Sequence, residues 1–226
     1  MKTVGILGGM GPEATILLMQ KVMAAVPARD DADHVPLIVH QNPQVPSRIK
    51  ALIEGTGEDP GPTLARMARD LQAAGAQALA MPCNTAHHYA PAVTDATPLP
   101  FLDMLDLTAA SLAQQGARRV GMLASPATRL AGVFDAPFAT HGLTPVFLTD
   151  DADLLDIIRA VKAGQGIATL GHRLTAEAGA LVAQGADHLL VACTELSLMT
   201  TALPESVPHT DSLDCLTGAI VDFAKA

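Results

Sequence analysis

The sequence predicts an α/β protein in which parallel strands alternate with helices. Short apolar runs such as "TVGIL", "VPLIVHQN" and "VGMLAS" are each followed by a longer amphipathic stretch. Continuous apolar strands separated by helix-length segments are typical of parallel sheets that are covered on both faces. Helix boundaries agree with this interpretation, because Pro12 stands at a first helical position and several helical stretches end in a glycine, namely Gly75, Gly116, Gly142 and Gly185.

The composition indicates a folded protein with an acidic surface. The chain has 226 residues, of which 49% are hydrophobic and 16% are charged, and its formal net charge is −9. Disordered proteins have too few apolar residues to match this composition. Nucleic acids and anionic membranes bind basic surfaces, so neither is an expected partner. A small anionic substrate remains compatible, since a site can be locally basic within an acidic protein.

The cysteines and the apolar runs suggest a cytoplasmic protein. The three cysteines are at positions 83, 193 and 215. A disulfide framework usually has more cysteines and an even number of them, so we expect free thiols. No apolar run reaches the roughly 18 residues that a membrane-spanning helix needs. The opening "MKTVGILGGMGPEA" lacks the apolar region and cleavage site of a signal peptide, and we expect it to form a first strand and its turn.

The two halves of the chain repeat each other. "LQAAGAQALAMPCNT", which begins at Leu71, aligns without gaps with "LVAQGADHLLVACTE", which begins at Leu181. The earlier strands "VGILGG" and "VGMLAS" match at nearly the same offset. Shared apolar and glycine positions are expected of any βα repeat, but the alignment also pairs Cys83 with Cys193. Each half is therefore predicted to be a small α/β unit with a cysteine where one strand ends.

A thiol on each side of a cleft is suited to moving a proton across a carbon centre. Ligands of open α/β sheets bind beyond the carboxyl ends of the strands, where both Cys83 and Cys193 are predicted. Inverting a stereocentre next to a carboxylate requires proton removal from one face and proton return to the other. A thiol suits both tasks because its unperturbed pKa, about 8.5, is near the working pH. Short polar side chains in "CNT" and "CTE" are expected to bind the carboxylate and stabilise its developing charge.

Two other kinds of site fit the sequence poorly. The loop "GILGGMG" lacks the regular G-x-G-x-x-G spacing of dinucleotide-binding proteins, and the second strand ends in "VHQN" without an acid for a ribose. Cys83, His87 and His88 can be drawn as metal ligands, but adjacent helical side chains point about 100° apart. We therefore expect no metal, with helix packing or solvent exposure for the histidines. Cys215 is expected to be a packing residue of a helix.

Motifs along nearly the whole chain resemble the aspartate/glutamate racemase superfamily, and most of all its cofactor-independent aspartate racemases. They are "GILGGMGPEAT", "QNPQVPSR", "MPCNTAH", "AVKAG" and "ACTELS". The resemblance implies two pseudo-symmetric αβα domains with mainly parallel sheets and an active site in the cleft between them. Here these would be residues 1–102 and 103–210, with a C-terminal helix over residues 211–226 that returns to the first domain. The resemblance also implies a homodimer and no cofactor.

The resemblance assigns roles to particular residues. Cys83 and Cys193 would be the two acid/base groups, with Cys83 removing the proton of the L isomer. Arg48 and Lys162 would bind substrate carboxylates, which agrees with the need of an acidic protein for a few placed cations. Glu195 would accept a hydrogen bond from the substrate ammonium or cap a helix. The remaining candidates hold the α-carboxylate or line the pocket: Met10, Gln41, Asn84, Thr85, Thr128 and Thr194.

Departures from the family pattern leave the side-chain preference open. Ser47 stands where aspartate racemases often have an acid, and Ala127 replaces a frequent glycine. Thr194-Glu195 differs from the Thr-His of glutamate racemases and argues against that activity. The leading expectation is interconversion of L- and D-aspartate. A racemase of glutamate or of a broader range of amino acids, a related dicarboxylate isomerase, and a non-catalytic binder of acidic amino acids are the alternatives.

Overall fold

Two four-stranded parallel sheets, one in each half of the chain, form the framework of the protein. The structure is a computed structural model that describes the backbone of residues 1–226 and every side chain except those at positions 167 and 168. The first sheet has the order β2-β1-β3-β4 and the second has the order β6-β5-β7-β8. The strands are β1 (Val4–Gly8), β2 (Leu37–Gln41), β3 (Ala78–Ala80), β4 (Phe101–Leu102), β5 (Arg119–Leu123), β6 (Thr144–Val146), β7 (His188–Val191) and β8 (His209–Asp211).

Helices connect the strands and cover the sheets, which confirms the predicted α/β fold with two parallel-sheet units. The α-helices are α1 (Pro12–Ala24), α2 (Gly61–Ala73), α3 (Ala90–Thr94), α4 (Met104–Gln114), α5 (Pro126–Leu130), α6 (Asp135–His141), α7 (Ala152–Lys162), α8 (Ile167–Ala183) and α9 (Ser212–Lys225). Short 3-10 helices span Asp31–Asp33, Thr85–Tyr89 and Leu196–Ala202, and a π-helical turn spans Lys50–Glu54.

The repeated glycine of the first strand in each sheet has a packing cause. A Cβ atom on Gly5 would come within 2.8 Å of the Cβ of Ala76, and one on Gly121 would come within 3.0 Å of the Cβ of Ala186. Real Cβ atoms rarely approach so closely, so only glycine lets the turn that follows α2 or α8 lie this near the strand. The glycine and alanine that the sequence repeat shares therefore contact each other within each half of the chain.

The last helix leaves the second sheet and packs on the first. Strand β8 runs directly into α9, whose side chains Leu213, Leu216 and Ile220 lie in the core formed by Val4 and Ile6 of β1. Helix α9 also contacts α1 and α4. The chain therefore crosses between the sheets near its end, while the exact domain bounds at residues 102 and 210 stay a prediction.

A buried aspartate caps this crossing helix. One carboxylate oxygen of Asp211, Oδ1, accepts hydrogen bonds from the N–H of Leu213 and the hydroxyl of Ser197, both at 2.8 Å. The side-chain oxygen thereby satisfies a backbone donor at the start of α9. Burial raises the pKa of Asp211 to about 6, against the opposing effect of these hydrogen bonds and of Lys21. The ionised carboxylate consequently lowers the free energy of unfolding above that pH.

None of the helices whose side chains the structure describes has both the length and the apolar character needed to cross a membrane.

The raised pKa of Asp211 predicts a stabilising substitution. The folded state binds a proton more tightly than the unfolded state, so wild-type stability should be lost as pH rises from about 4 through about 6. Asp211→Asn keeps an accepting oxygen and removes the charge. Urea unfolding should show the variant gaining stability relative to wild type across this window, by up to about 3 kcal/mol. Asp222→Asn, at an exposed aspartate of the same helix, is the control. Parallel wild-type and Asp211→Asn curves would contradict the prediction.

Candidate active site

The two predicted cysteines lie at equivalent places in the two sheets. Cys83 follows β3, which lies between β1 and β4, and Cys193 follows β7, which lies between β5 and β8. Each cysteine is 8% exposed, and both line one cavity of about 130 Å³. Pockets for drug-sized ligands occupy about 300–1,000 Å³, so this cavity has the size for a smaller molecule. Both thiols are free.

Residues from both halves of the chain line the cavity. Of the candidates predicted from the sequence, the lining includes Met10, Arg48, Cys83, Asn84, Thr85, Lys162, Cys193, Thr194 and Glu195. Sequence reasoning did not anticipate the other lining residues, which are Ser47, Ile49, Ser125, Ile158 and Ala192. Gln41 is an exposed residue at the end of β2 and is not in the lining. Its expected place in the pocket is therefore not supported by the geometry.

Thr128 lies behind the cavity wall in a cluster of three hydroxyl groups. Its Oγ1 is 2.9 Å from the Oγ1 of Thr85 and 3.2 Å from the Oγ of Ser125. Thr85 follows Cys83 in the first half, whereas Ser125 and Thr128 belong to the loop and helix after β5. The cluster therefore joins the two halves beside the cavity. Thr128 reaches the site through Thr85, since it is not itself a lining residue.

A buried serine links the backbone near one cysteine to the side chain next to the other. The hydroxyl of Ser212, the first residue of α9, donates to the carbonyl of Val191 at 3.0 Å. Because that hydrogen is committed, the Ser212 oxygen accepts the 3.0 Å hydrogen bond from Nδ2 of Asn84. Asn84 follows Cys83, and Val191 ends the strand before Cys193. The two cysteine-bearing loops are thus held together through one hydroxyl group.

The glycine loop after β1 forms one edge of the site. Gly9 has a φ of +95°, and a Cβ atom there would come within 2.4 Å of the backbone of Asn42. Only glycine accommodates both the left-handed conformation and this close approach. The N–H of Gly9 donates to the hydroxyl of the buried Thr15 at 2.9 Å. These glycines therefore serve a tight turn, which carries the chain to Met10 at the cavity.

Cys193 is bonded to an acid that also holds a lysine. The Sγ of Cys193 donates to the Oε2 of Glu195 at 3.0 Å, and the Oε1 of Glu195 forms an ion pair with the Nζ of Lys162. Burial and the neighbouring carboxylate raise the pKa of Cys193 well above its ordinary value, and the ammonium of Lys162 opposes this only in part. Cys193 is consequently a thiol in the unliganded protein.

The ion pair fixes the charges of its two members. Burial by itself raises the pKa of Glu195, but the lysine and the hydrogen bonds outweigh that effect and the pKa is lowered. Burial likewise works against the charged form of Lys162, yet the carboxylate of Glu195 leaves its pKa raised. The side chain of Glu195 is 7% exposed and that of Lys162 is 35% exposed, so the acid is the more enclosed member.

Arg48 provides the cavity's second cation. Its Nη1 donates to the carbonyl oxygens of Pro46 at 3.2 Å and Val45 at 3.5 Å, which orients the guanidinium from the loop before the π-helical turn. Among the side chains that the structure describes, Arg48 forms no salt bridge, unlike Lys162. Its charge is therefore the one that a bound anion would meet without displacing a protein carboxylate.

His87 supports the backbone of Cys83. Its Nδ1 is 2.9 Å from the carbonyl of Cys83, and the N–H of Met104 donates to its Nε2 at 3.2 Å. The carbonyl can only accept and the amide can only donate, so the ring is neutral with its hydrogen on Nδ1. Burial lowers the pKa of His87, against the effects of Asp103 and the Cys83 carbonyl. His88, by contrast, is exposed, and its ring meets that of Tyr89 edge-on.

Comparisons with known proteins agree with this architecture. The family model described as Asp/Glu/Hydantoin racemase matches residues 7–220. An aspartate racemase from Picrophilus torridus superposes with a TM-score of 0.86 at 28% identity, covering 100% of this chain and 95% of that one. An aspartate racemase homologue from Pyrococcus horikoshii OT3 gives a TM-score of 0.78 at 22% identity, with full coverage of both chains. The broad specificity amino-acid racemase RacX of Bacillus subtilis (strain 168) is 24% identical over 96% of each chain.

The chain therefore belongs to the Asp/Glu/hydantoin racemase family. As a member of that family it is an amino-acid racemase, with a small amino-acid substrate.

The hydrogen bonds of His87 predict different effects for two adjacent histidines. His87→Ala should lower the free energy of unfolding by about 2–4 kcal/mol, because each buried group left without a partner costs about 1–3 kcal/mol. His88→Ala, at the exposed neighbour, should cost less than about 1 kcal/mol. Denaturant unfolding of both variants measures the difference. Equal losses would show that His87 does not carry the contact between Cys83 and α4.

Proposed function

We propose that the protein interconverts L- and D-aspartate by transferring protons at Cα between two cysteine thiols, without a cofactor. The observation that carries the proposal is that Cys83 and Cys193 line the same small cavity from opposite halves of the fold. A planar intermediate held between them would meet one sulfur on each face. Family membership makes racemisation the reaction, and the chemistry of the lining supports an acidic substrate.

The protonation state of Cys193 suggests how a cycle would start. Cys193 is held as a thiol by burial and by the charge of Glu195, so it is the proton donor of the unliganded protein. Cys83 would then remove the Cα proton as a thiolate, and Cys193 would return its proton to the other face. The product is the opposite enantiomer, with Cys193 left as the thiolate. The reverse reaction uses the same two groups with their roles exchanged.

The cations suggest an orientation for the substrate. Arg48 and Lys162 would bind the carboxylates of aspartate, while Thr85 and Thr194 would donate to the α-carboxylate. Hydrogen bonds to that group stabilise the negative charge that develops on it when the Cα proton leaves. Both threonines follow a cysteine directly or after one residue, so the same strand ends supply the bases and the donors.

A broader range of amino acids is the second candidate. It is favoured by one contact, because Lys162 is already paired with Glu195 and an acidic side chain would have to replace that partner. The similarity to RacX of Bacillus subtilis points in the same direction. A homodimer and a cytoplasmic location stay predictions from the sequence.

Solvent-deuterium incorporation tests the proposal directly. Purified protein without pyridoxal phosphate is incubated in deuterium oxide with L-aspartate or D-aspartate, and Cα exchange is followed by NMR alongside optical rotation. Exchange accompanied by racemisation is the expected result. A panel of neutral amino acids and glutamate in the same assay separates aspartate from a broader range. Absence of exchange with both aspartate enantiomers would exclude the aspartate activity, and ligand-dependent stabilisation without exchange would indicate a binder.

The two-thiol mechanism predicts that neither cysteine is dispensable. Cys83→Ala and Cys193→Ala should each lower the racemisation rate by at least about 10²–10⁴-fold, the typical contribution of a positioned acid or base. Cys215→Ala, at the half-buried cysteine of α9, is the matched control and should retain full activity. Circular dichroism and thermal unfolding check that the variants fold. Full racemisation by either of the first two variants would remove the mechanism.

A further inference from the structure

Two buried side-chain atoms of the cavity residues have no hydrogen-bond partner in the part of the chain that the structure describes. They are Nε of Arg48, which can only donate, and Oδ1 of Asn84, which can only accept. A buried polar atom without a partner costs free energy, so native proteins rarely leave one unpaired. An amino acid supplies both missing partners, because its carboxylate accepts hydrogen bonds and its ammonium donates them. The unpaired donor and acceptor therefore match a zwitterion in kind.

The amide orientation of Asn84 depends on Ser212. The Ser212 hydroxyl donates its hydrogen to the carbonyl of Val191, so its oxygen is an acceptor for Nδ2 of Asn84. Turning the amide over would bring Oδ1 against that oxygen, and two acceptors cannot bond to each other. The hydroxyl could donate to a reversed amide only by giving up the Val191 carbonyl. Ser212 thereby determines that Oδ1, and not Nδ2, is left without a protein partner.

Ser212 is itself held in a fixed place. It is fully buried and opens α9, directly after Asp211. The Asp211 carboxylate accepts from the N–H of Leu213, which fixes the backbone on both sides of the serine. Ser212 does not line the cavity. Any influence that it has on a bound substrate must therefore pass through Asn84 or through the strand that ends at Val191.

The acid of the cavity is less available to an ammonium group than Asn84 is. Each carboxylate oxygen of Glu195 already has a partner, since Oε1 contacts Lys162 and Oε2 accepts from the thiol of Cys193. The Oδ1 atom of Asn84 has none. A donor that arrives with the substrate gains a full hydrogen bond at Asn84 without disturbing an existing contact.

We propose that Ser212 is a positioning residue of the racemase, whose hydroxyl orients the Asn84 amide so that Oδ1 accepts a hydrogen bond from the substrate ammonium. The inference rests on the proposed function. It assigns Asn84 to the ammonium, whereas the sequence led us to expect it at the α-carboxylate. The nitrogen, Cα and the carboxyl carbon define the plane of the intermediate. Holding the ammonium as well as the α-carboxylate keeps the two faces of that plane toward the two sulfurs.

The experiment compares aspartate with succinate, which keeps both carboxylates and lacks the ammonium. The kcat/KM for Cα deuterium exchange of aspartate and the Ki of succinate as a competitive inhibitor are measured in wild type and in Ser212→Ala. Without its acceptor, the Asn84 amide is no longer held in one orientation. The kcat/KM of the variant should fall by about tenfold or more, as expected for losing a hydrogen bond to a charged group. The Ki of succinate should stay within about twofold of wild type.

Three further variants complete the design. Ser212→Cys nearly keeps the shape of the serine but replaces its hydroxyl by a weak donor and acceptor, so it should give the same pattern if Ser212→Ala fails to fold. Asn84→Ala should also give this pattern, and adding Ser212→Ala to it should lower kcat/KM by less than about twofold more, because no amide remains to be oriented. Thr217→Val removes another buried hydroxyl of α9, one that bonds within the helix, and should leave both quantities unchanged.

The outcomes separate this inference from the proposed function. A purely structural role for Ser212 would distort the whole cavity, so a Ki of succinate that weakens as much as kcat/KM falls overturns the assignment. An unchanged kcat/KM in folded Ser212→Ala or Ser212→Cys overturns it as well, as does additive loss in the double variant. Absence of Cα exchange between wild-type protein and either aspartate enantiomer instead overturns the proposed function.

Discussion

The hydrogen-bonded hydroxyl of Ser212 is the contact on which the geometry of the cavity depends. It accepts from the side chain of Asn84 and donates to the carbonyl of Val191, so it connects the two strand ends that carry the cysteines. Ser212 is fully buried and opens the helix that crosses from the second sheet to the first. A two-base site requires two sulfurs held at a fixed separation, and parallel sheets alone do not fix how two separate sheets lie against each other. The crossing helix and this hydroxyl supply that constraint.

The electrostatic arrangement differs between the two sides even though the backbone repeats. Hydroxyl groups surround the side of Thr85, whereas an ion pair of Glu195 and Lys162 lies beside Cys193. Burial and the acid raise the pKa of Cys193, which lowers the tendency of this thiol to ionise. A pair of bases can function only if one holds a proton and the other does not. In the proposed mechanism, the unequal surroundings would favour the proton on Cys193, while the equal backbone positions would place one thiol on each side of the substrate.

The fold and the places of the two cysteines could be predicted because local patterns determine them, whereas Met10, Arg48 and Lys162 were expected in the cavity only from the resemblance to the racemase family. Apolar runs, glycine-ended helices and the aligned cysteines specify two parallel sheets and the strand ends that face the cavity. Other features depend on contacts between residues far apart in the sequence. In the sequence, Ser212 is like any serine at the start of a helix. Its role depends on Asn84 and Val191, which are 128 and 21 residues away along the chain. Gln41 ends a strand as a lining residue would, but its strand lies at the edge of the sheet, away from the central strands that carry the cysteines.

The contrast between the hydroxyl side and the charged side has a thermodynamic consequence for any racemase built this way. The two enantiomers of an amino acid have equal free energies in an achiral solvent, so the equilibrium constant of the reaction is unity. Detailed balance then forces kcat/KM to be the same in both directions, however unlike the two faces of the site are. The unequal surroundings of Cys83 and Cys193 can appear only in kcat and KM separately, as changes that compensate each other. The protein can hold one enantiomer longer than the other, but it cannot favour its formation.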